Sequence, residues 1–153
     1  MRHYGDLKRL TLMKNNLLTL ILITLVFNPL YSQDILGKWK TIDDETGKAK
    51  SVVEIYEKDG KVYGKIIELL NPSEDNPICS KCDGDKKGQP ILNMVIIEEM
   101  EKEDNVYEGG TIINPENGKE YKCQLKIEDD KDTLRVRGYV AFFYKTQYWK
   151  RIE

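Results

Sequence analysis

The chain has 153 residues, with 24 basic and 26 acidic side chains and a formal charge of −2. Charges of both signs are mixed along it, whereas nucleic-acid-binding proteins cluster an excess of lysine and arginine, so this balance argues against a nucleic-acid partner. The only histidine is His3, so the rest of the chain has no Ser/His or Cys/His nucleophile pair and no histidine-ligated metal site. We expect a protein that is not an enzyme, although catalysis through a carboxylate, tyrosine, lysine or cysteine stays open.

Near the start of the chain, residues 17–27 read "LLTLILITLVF", an apolar run that follows Lys14. Its length is that of a signal-peptide hydrophobic region and about half of what a membrane-spanning helix needs. We interpret residues 1–32 as a signal peptide that is cleaved between Ser32 and Gln33. The alternative is a retained membrane anchor, which the short run disfavours.

Met13 is a second candidate for the true start, because "MKNNLL" by itself begins an ordinary signal peptide. Cleavage after residue 32 leaves residues 33–153, with 20 basic and 25 acidic side chains and a formal charge of −5. This length predicts one domain with a proper core. The expected product is periplasmic or secreted and has no membrane span.

Alternation of apolar and polar residues dominates the remaining chain. "YKCQLKIE" and "TLRVRGYV" are its clearest examples, and this period is typical of strands with one buried and one wet face. We predict eight strands, near residues 36–42, 51–58, 61–70, 91–99, 105–114, 119–128, 132–141 and 145–152.

Turn residues separate these predicted strands. Asp59-Gly60, the segment 114–118 and the segment 129–132 are rich in Gly, Asn, Asp and Pro, which favour tight turns. Short links pair neighbours in sequence order, and eight strands can close around side chains or one small ligand. Gly109-Gly110 marks a bulge or bend. The one long break, residues 71–90, is predicted to be a loop across one end of an eight-stranded antiparallel up-and-down barrel.

Five segments together resemble a known family: "GKWKTIDDETGKAKSVVEIYEKDGKVYGKI", "CSKC", "YEGGTIINPENGKEYKCQLKI", "LRVRGY" and "TQYWKRI". They resemble the bacterial family called domain of unknown function 2147, over Leu36 to Ile152. That family is similar to the lipocalin-like (calycin) barrels and is typically exported. Its biochemical function is not established, so the resemblance implies an all-β fold and a compartment rather than an activity.

Two features match the wider lipocalin pattern. Gly37 and Trp39 form the G-x-W signature of the first strand, and Arg151 lies where those barrels place an arginine across the tryptophan ring. A cation over an indole face contributes about 0.5–2 kcal/mol. The chain departs from the family at Asn93, where glycine is common, and at Lys145, where arginine is common.

The spacing of Cys79 and Cys82 allows a metal half-site, a redox dithiol or a disulfide. Zinc sites normally add a second such pair or histidines, and redox dithiols normally begin a helix. A Cys79–Cys82 bridge closes a short loop worth about 2 kcal/mol, whereas Cys82–Cys123 would give about 4 kcal/mol. Cys123 lies on the apolar face of its strand, so we predict a Cys79–Cys82 disulfide, a free buried Cys123 and no metal.

Four residues are candidates for contact with a ligand: Tyr121, Arg137, Tyr139 and Tyr148. An arginine can bind an anionic group, and tyrosine combines an apolar body with a polar tip. The alternative interpretation places the arginine on a wet outer face and the tyrosines in half-buried strand positions.

These observations lead to one functional hypothesis with two alternatives. We expect an exported protein that binds a small apolar or amphiphilic ligand inside the barrel, without a cofactor. The first alternative is a thiol, disulfide or envelope-stress protein that acts through the Cys-x-x-Cys loop. The second is a solid barrel whose loops bind another protein.

Overall fold

The computed structural model of the protein describes residues 34–152. The predicted signal peptide, residues 1–32, therefore lies outside the described residues. Within residues 34–152 the chain is all-β apart from a 3-10 turn at Gly84–Lys86. No helix in this range has the length and hydrophobicity that a membrane crossing requires.

Nine strand segments form one antiparallel sheet, in which neighbours in sequence pair with each other except β5 and β6. The last strand pairs back onto the first, so the sheet closes into a barrel. The segments are β1 (Gly37–Ile42), β2 (Ala49–Lys58), β3 (Lys61–Leu69), β4 (Val95–Glu103), β5 (Val106–Glu108), β6 (Thr111–Asn114), β7 (Lys119–Ile127), β8 (Thr133–Val140) and β9 (Phe143–Ile152).

The segments β5 and β6 act as one interrupted strand, because both pair with β4 on one side and β7 on the other. Gly109 and Gly110 separate them. Gly109 has φ +83°, and a Cβ at Gly110 would lie 2.1 Å from the backbone oxygen of Glu98. The chain can bend here only without side chains. The predicted eight-stranded antiparallel up-and-down barrel is therefore confirmed.

Strand β4 lies four residues later than the sequence pattern predicts. The expected strand was 91–99, but the backbone N–H of Ile91 donates to Pro77, and that of Asn93, with φ +69°, donates to Ile66. The first residues of the predicted strand, 91–94, therefore form a turn. The strand instead continues into the charged segment that ends at Glu103.

The core consists of the inward-facing side chains of the barrel. The largest of those that are fully buried include Trp39, Trp149, Leu125 and Leu134, and each such side chain contributes roughly 1.5–3 kcal/mol by leaving water. Both tryptophans lie near the end where the described chain starts and finishes. That part of the interior is filled by protein.

The up-and-down topology gives the barrel two ends. The terminal end contains residues 34–36, the turns 59–60, 104–105 and 128–132, and the end of β9. The loop end contains the four other connections, at residues 43–48, 70–94, 115–118 and 141–142.

Candidate functional site

The terminal end is closed by the predicted signature residues. Trp39 is completely buried, and its indole N–H donates to the carbonyl of Ile35 at 2.8 Å. The guanidinium carbon of Arg151 lies 4.1 Å from the centre of the Trp39 ring. This stack places a cation against an aromatic face, as the resemblance implies.

Arg151 also holds three backbone segments together. Its two terminal nitrogens donate to the carbonyls of Leu36 (3.2 Å) and Asp34 (3.0 Å), and its Nε donates to Lys131 at 3.4 Å. Gly37 has φ +122°, and a Cβ there would lie 3.4 Å from Arg151 Nη1. Glycine is therefore favoured by the backbone conformation, while Arg151 is in ordinary van der Waals reach of this position.

At the loop end, a disulfide joins Cys79 and Cys82. Both sulfurs belong to residues that are at most 1% exposed, and Cys79 Sγ lies 3.2 Å from the carbonyl oxygen of Pro115. Gly118, with φ +71°, has no room for a Cβ because the carbonyl of Lys81 occupies that position. The disulfide loop is thus packed directly onto the β6–β7 turn.

This burial argues against thiol chemistry. Exchange requires a thiolate to approach a disulfide sulfur, and the residues around Cys79 and Cys82 shield both sulfurs. Burial also raises the pKa of the free Cys123 thiol to about 12. At neutral pH Cys123 is an inert core side chain.

An open cavity of about 670 Å³ lies at the loop end, beside the disulfide loop. Its volume falls within the usual range for small-molecule sites, roughly 300–1,000 Å³. Charged side chains and a few apolar surfaces form its walls. The lining residues are Asp83, Asp85, Glu98, Glu120, Lys86, Lys119, Ile113, Gly118, Tyr121 and Val140.

The lining has an excess of negative charge. Lys86 and Glu98 neutralise each other in an ion pair of 2.8 Å. The remaining carboxylates of Asp83, Asp85 and Glu120 then face one lysine. Within residues 34–152, no group of three or more His, Cys, Asp or Glu side chains is arranged to hold a metal ion.

Tyr121 forms the aromatic wall of the cavity. A Cβ at Gly138 would lie 3.3 Å from Tyr121 Cβ, so this glycine leaves space for the tyrosine on the inner face. The side-chain amide of Asn117 donates to the Tyr121 hydroxyl at 3.1 Å. The ring is therefore held at both ends.

The four predicted ligand contacts do not meet in one place. Cys123 and Gly138 are paired on the inner face, which Tyr121 shares by alternation along β7. Arg137 and Tyr139 flank Gly138 and therefore point outward. Tyr148, paired with Arg135, lies on that same outer face.

Arg137 is held on the outer face by its own neighbours. Its Nε donates to Thr146 Oγ1 at 3.0 Å, and its guanidinium lies 4.5 Å from the centre of the Tyr144 ring. Of the four residues, Tyr121 is the one that borders the cavity. Arg137 therefore lies on the wet outer face, as the alternative interpretation of this arginine predicted.

A polar network on the inner face was not anticipated. The Asp44 carboxylate accepts from Gln147 at 3.1 Å and pairs with Lys145 at 2.9 Å, while Trp149 donates to Gln147 at 3.3 Å. The hydrogen bond and charge of Asp44 raise the pKa of Lys145. These side chains bridge β9 to the β1–β2 loop, where β1–β9 backbone pairing has already ended.

The cavity-lining acids also escaped prediction. Asp83 and Asp85 lie beside the cysteines in sequence, but Glu98 and Glu120 are solvent-face residues of ordinary strands. Alternation marks them as surface positions, and only the packing of the disulfide loop turns that surface into a cavity wall.

Comparison with known proteins identifies the family. The model of the family described as "Uncharacterized protein conserved in bacteria (DUF2147)" matches residues 37–151. This chain belongs to that family. The predicted membership in the DUF2147 family is therefore confirmed. The matched range runs from the first residue of β1 to the last residue but one of β9.

Among solved structures, this DUF2147 protein is similar to protein HP1028 from Helicobacter pylori, described as belonging to the lipocalin family. The TM-score is 0.68 with 21% sequence identity, over 78% of this chain and 84% of that chain. This likeness supports the lipocalin-like fold. No curated protein sequence matches the chain at a significant level.

Proposed function

We propose that this DUF2147 protein is an exported, non-enzymatic binding protein for a small amphiphilic ligand. The observation that carries the proposal is the open cavity of about 670 Å³ at the loop end. The lipocalin-like fold supports it, because closed eight-stranded barrels can hold a single small ligand at one end. The apolar run at residues 17–27 and the disulfide support export.

The chemistry of the walls favours an amphiphile over a purely apolar molecule. Tyr121, Val140 and Ile113 offer apolar surface, whereas six of the other seven lining residues are charged. A wholly apolar ligand would desolvate those charges without compensating them. The two tryptophans, Trp39 and Trp149, are buried in the core and do not line the cavity.

The charge of the lining also favours a cationic head group. Asp83, Asp85 and Glu120 outnumber Lys119 once the Lys86–Glu98 pair is set aside. A positive group near these carboxylates is attracted, and a negative group is repelled. The ligand would place its tail against Tyr121 and its head among the acids.

Calorimetric titration with two probes of equal chain length tests this proposal. We expect dodecyltrimethylammonium, below its micelle concentration, to bind at least about tenfold more tightly than dodecyl sulfate. Tyr121→Ala should weaken the cationic probe by about tenfold, and Asp83→Asn with Asp85→Asn should reduce the preference for it. Tyr148→Ala, on the outer face, is the matched control.

Equal affinity for both probes, or equal loss with Tyr121→Ala and Tyr148→Ala, contradicts the proposed site. Native mass spectrometry of the protein isolated from its own cell envelope supplies the independent check. A retained small molecule that is lost in Tyr121→Ala supports the site. Equal retention of the small molecule by the unmodified protein and by Tyr121→Ala contradicts the proposed site.

A further inference from the structure

The tip of the β8–β9 hairpin exposes a group of apolar side chains. Phe142 is 98% exposed, Phe143 79%, Tyr144 62% and Val140 51%. The last β7–β8 pair joins Lys122 to Tyr139, whereas Val140 pairs only with Phe143 across the hairpin. The tip therefore extends beyond its last backbone pair with β7.

The turn geometry does not account for these residues. Ala141 and Phe142 alone connect the two strands, and Ala141 has φ +51°. Two-residue turns of this kind select glycine, asparagine or aspartate. Phe142 stands where such a turn favours a small or polar residue, and Phe143 follows it at the exposed start of β9, so neither turn geometry nor core packing explains these two rings.

The outer face of the same hairpin is basic and aromatic. Along β7, β8 and β9 the outward positions carry five basic side chains and one acidic one, Glu120, in a chain whose formal charge is −2. The basic residues are Lys122, Lys126, Arg135, Arg137 and Lys150, and the aromatic ones are Tyr139, Tyr144 and Tyr148.

The two basic residues nearest the tip have no acidic partner. Arg135 pairs with Glu128 at 3.5 Å. Neither Lys122 nor Arg137 forms an ion pair with any residue between 34 and 152. Their positive charges are available to an external anion.

We propose that the β8–β9 tip docks onto an anionic phospholipid surface. Phe142 and Phe143 enter the boundary between head groups and acyl chains, and Lys122 and Arg137 contact lipid phosphates. Aromatic side chains together with lysine and arginine are the combination that membrane interfaces favour. A second copy of the chain is a poorer occupant, because docking two such faces would oppose like charges.

Vesicle sedimentation with the full chain tests the proposal. We expect binding to vesicles of phosphatidylglycerol and phosphatidylcholine that increases with the phosphatidylglycerol fraction. Phe142→Ser with Phe143→Ser should weaken binding at least about tenfold. The matched control is Ile78→Ser with Leu92→Ser, which removes two other exposed apolar residues (48% and 39% exposed) and should leave binding unchanged.

A variant without the two basic side chains separates head-group recognition from simple hydrophobic adsorption. Lys122→Gln with Arg137→Gln should lower binding to anionic vesicles about fivefold or more and flatten the dependence on the phosphatidylglycerol fraction. Residues 1–33 are the same in every variant, so their own affinity for lipid cancels in the comparison. Equal binding by the tip variant and the control pair overturns the proposal.

A fluorescent reporter locates the tip directly. Trp39 and Trp149 are buried, at 0% and 2% exposed, so a Phe142→Trp variant adds one accessible indole. We expect a blue shift with anionic vesicles and quenching by brominated acyl chains. No shift overturns the docking, as does concentration-dependent dimerisation that the Phe142→Ser, Phe143→Ser variant abolishes, because the tip then binds a second copy.

Discussion

The two ends of the barrel are built from the same strands but finished in opposite ways. At the terminal end, Arg151 stacks on Trp39 and donates to three carbonyls in two other segments. At the loop end, a disulfide-closed loop borders an open, charged cavity, and two phenylalanines extend into solvent. The terminal end is therefore closed by buried and hydrogen-bonded side chains, while the loop end carries the open and exposed features on which both of our proposals rest.

The largest effect should come from removing the indole that fills the terminal end. Trp39→Ala is expected to cost about 3–5 kcal/mol of unfolding free energy, because it leaves a cavity and removes the support of Arg151. Urea denaturation measures this loss, and Trp39→Phe provides a milder variant if the alanine protein does not fold.

Phe142→Ala is the matched aromatic truncation at the loop end. Since Phe142 is 98% exposed, its loss should change the unfolding free energy by less than about 0.5 kcal/mol. Similar losses at Trp39 and Phe142 would remove the distinction between a stabilising end and a recognising end.

The next largest loss of stability should come from removing Arg151, the cation that stacks on the Trp39 ring. Arg151→Gln should cost about 2 kcal/mol, because it removes the stack on Trp39 and donors to three carbonyls. Arg151→Lys keeps the charge but not the planar fork, so it should recover only part of the loss. Thermal and urea unfolding give both values.

Arg135→Gln is the control for Arg151. It breaks a partly exposed ion pair with Glu128, which should contribute less than about 1 kcal/mol. A loss at Arg135 as large as at Arg151 would mean that general surface charge, rather than closure of the terminal end, explains the Arg151 result.

Removal of the disulfide should lower the global stability by no more than the loss of Arg151 does. Cys79→Ser with Cys82→Ser releases a short loop, for which chain entropy predicts about 2 kcal/mol at most. The barrel should stay folded while trypsin cuts faster at Lys81, Lys86 or Lys87. Cooperative unfolding of the whole barrel, with no earlier cleavage in the loop, would show that the loop end supports the fold after all.

The fold could be predicted because strands carry local information. Alternation along "YKCQLKIE" and "TLRVRGYV" indicates one buried and one wet face, and the Asp-rich segment 129–132 separates these two runs. The error at β4 arose where residues 91–94, three of them apolar, form a turn instead of a strand. Tertiary hydrogen bonds from the N–H groups of this segment to the carbonyls of Pro77 and Ile66 decide its conformation, and no local pattern records them.

The site could be predicted only in part. Tyr121 borders the cavity, but Arg137, Tyr139 and Tyr148 lie on the outer face. Residue type suggests ligand contact for all four, whereas alternation along β8 already places Arg137 and Tyr139 opposite Val136 and Gly138. The packing of the disulfide loop decides which residues border the cavity, and no single strand records that packing.

The pairing of β1 with β9 has a consequence for how the protein is made. On its β9 side, the segment Lys38–Lys40 pairs with Lys150–Ile152, so the barrel cannot close until β9 has been synthesised. Contacts of such long sequence separation slow folding. The sheet therefore keeps β1 as an open edge while β2 to β8 are made, and β9 is the strand that removes this edge.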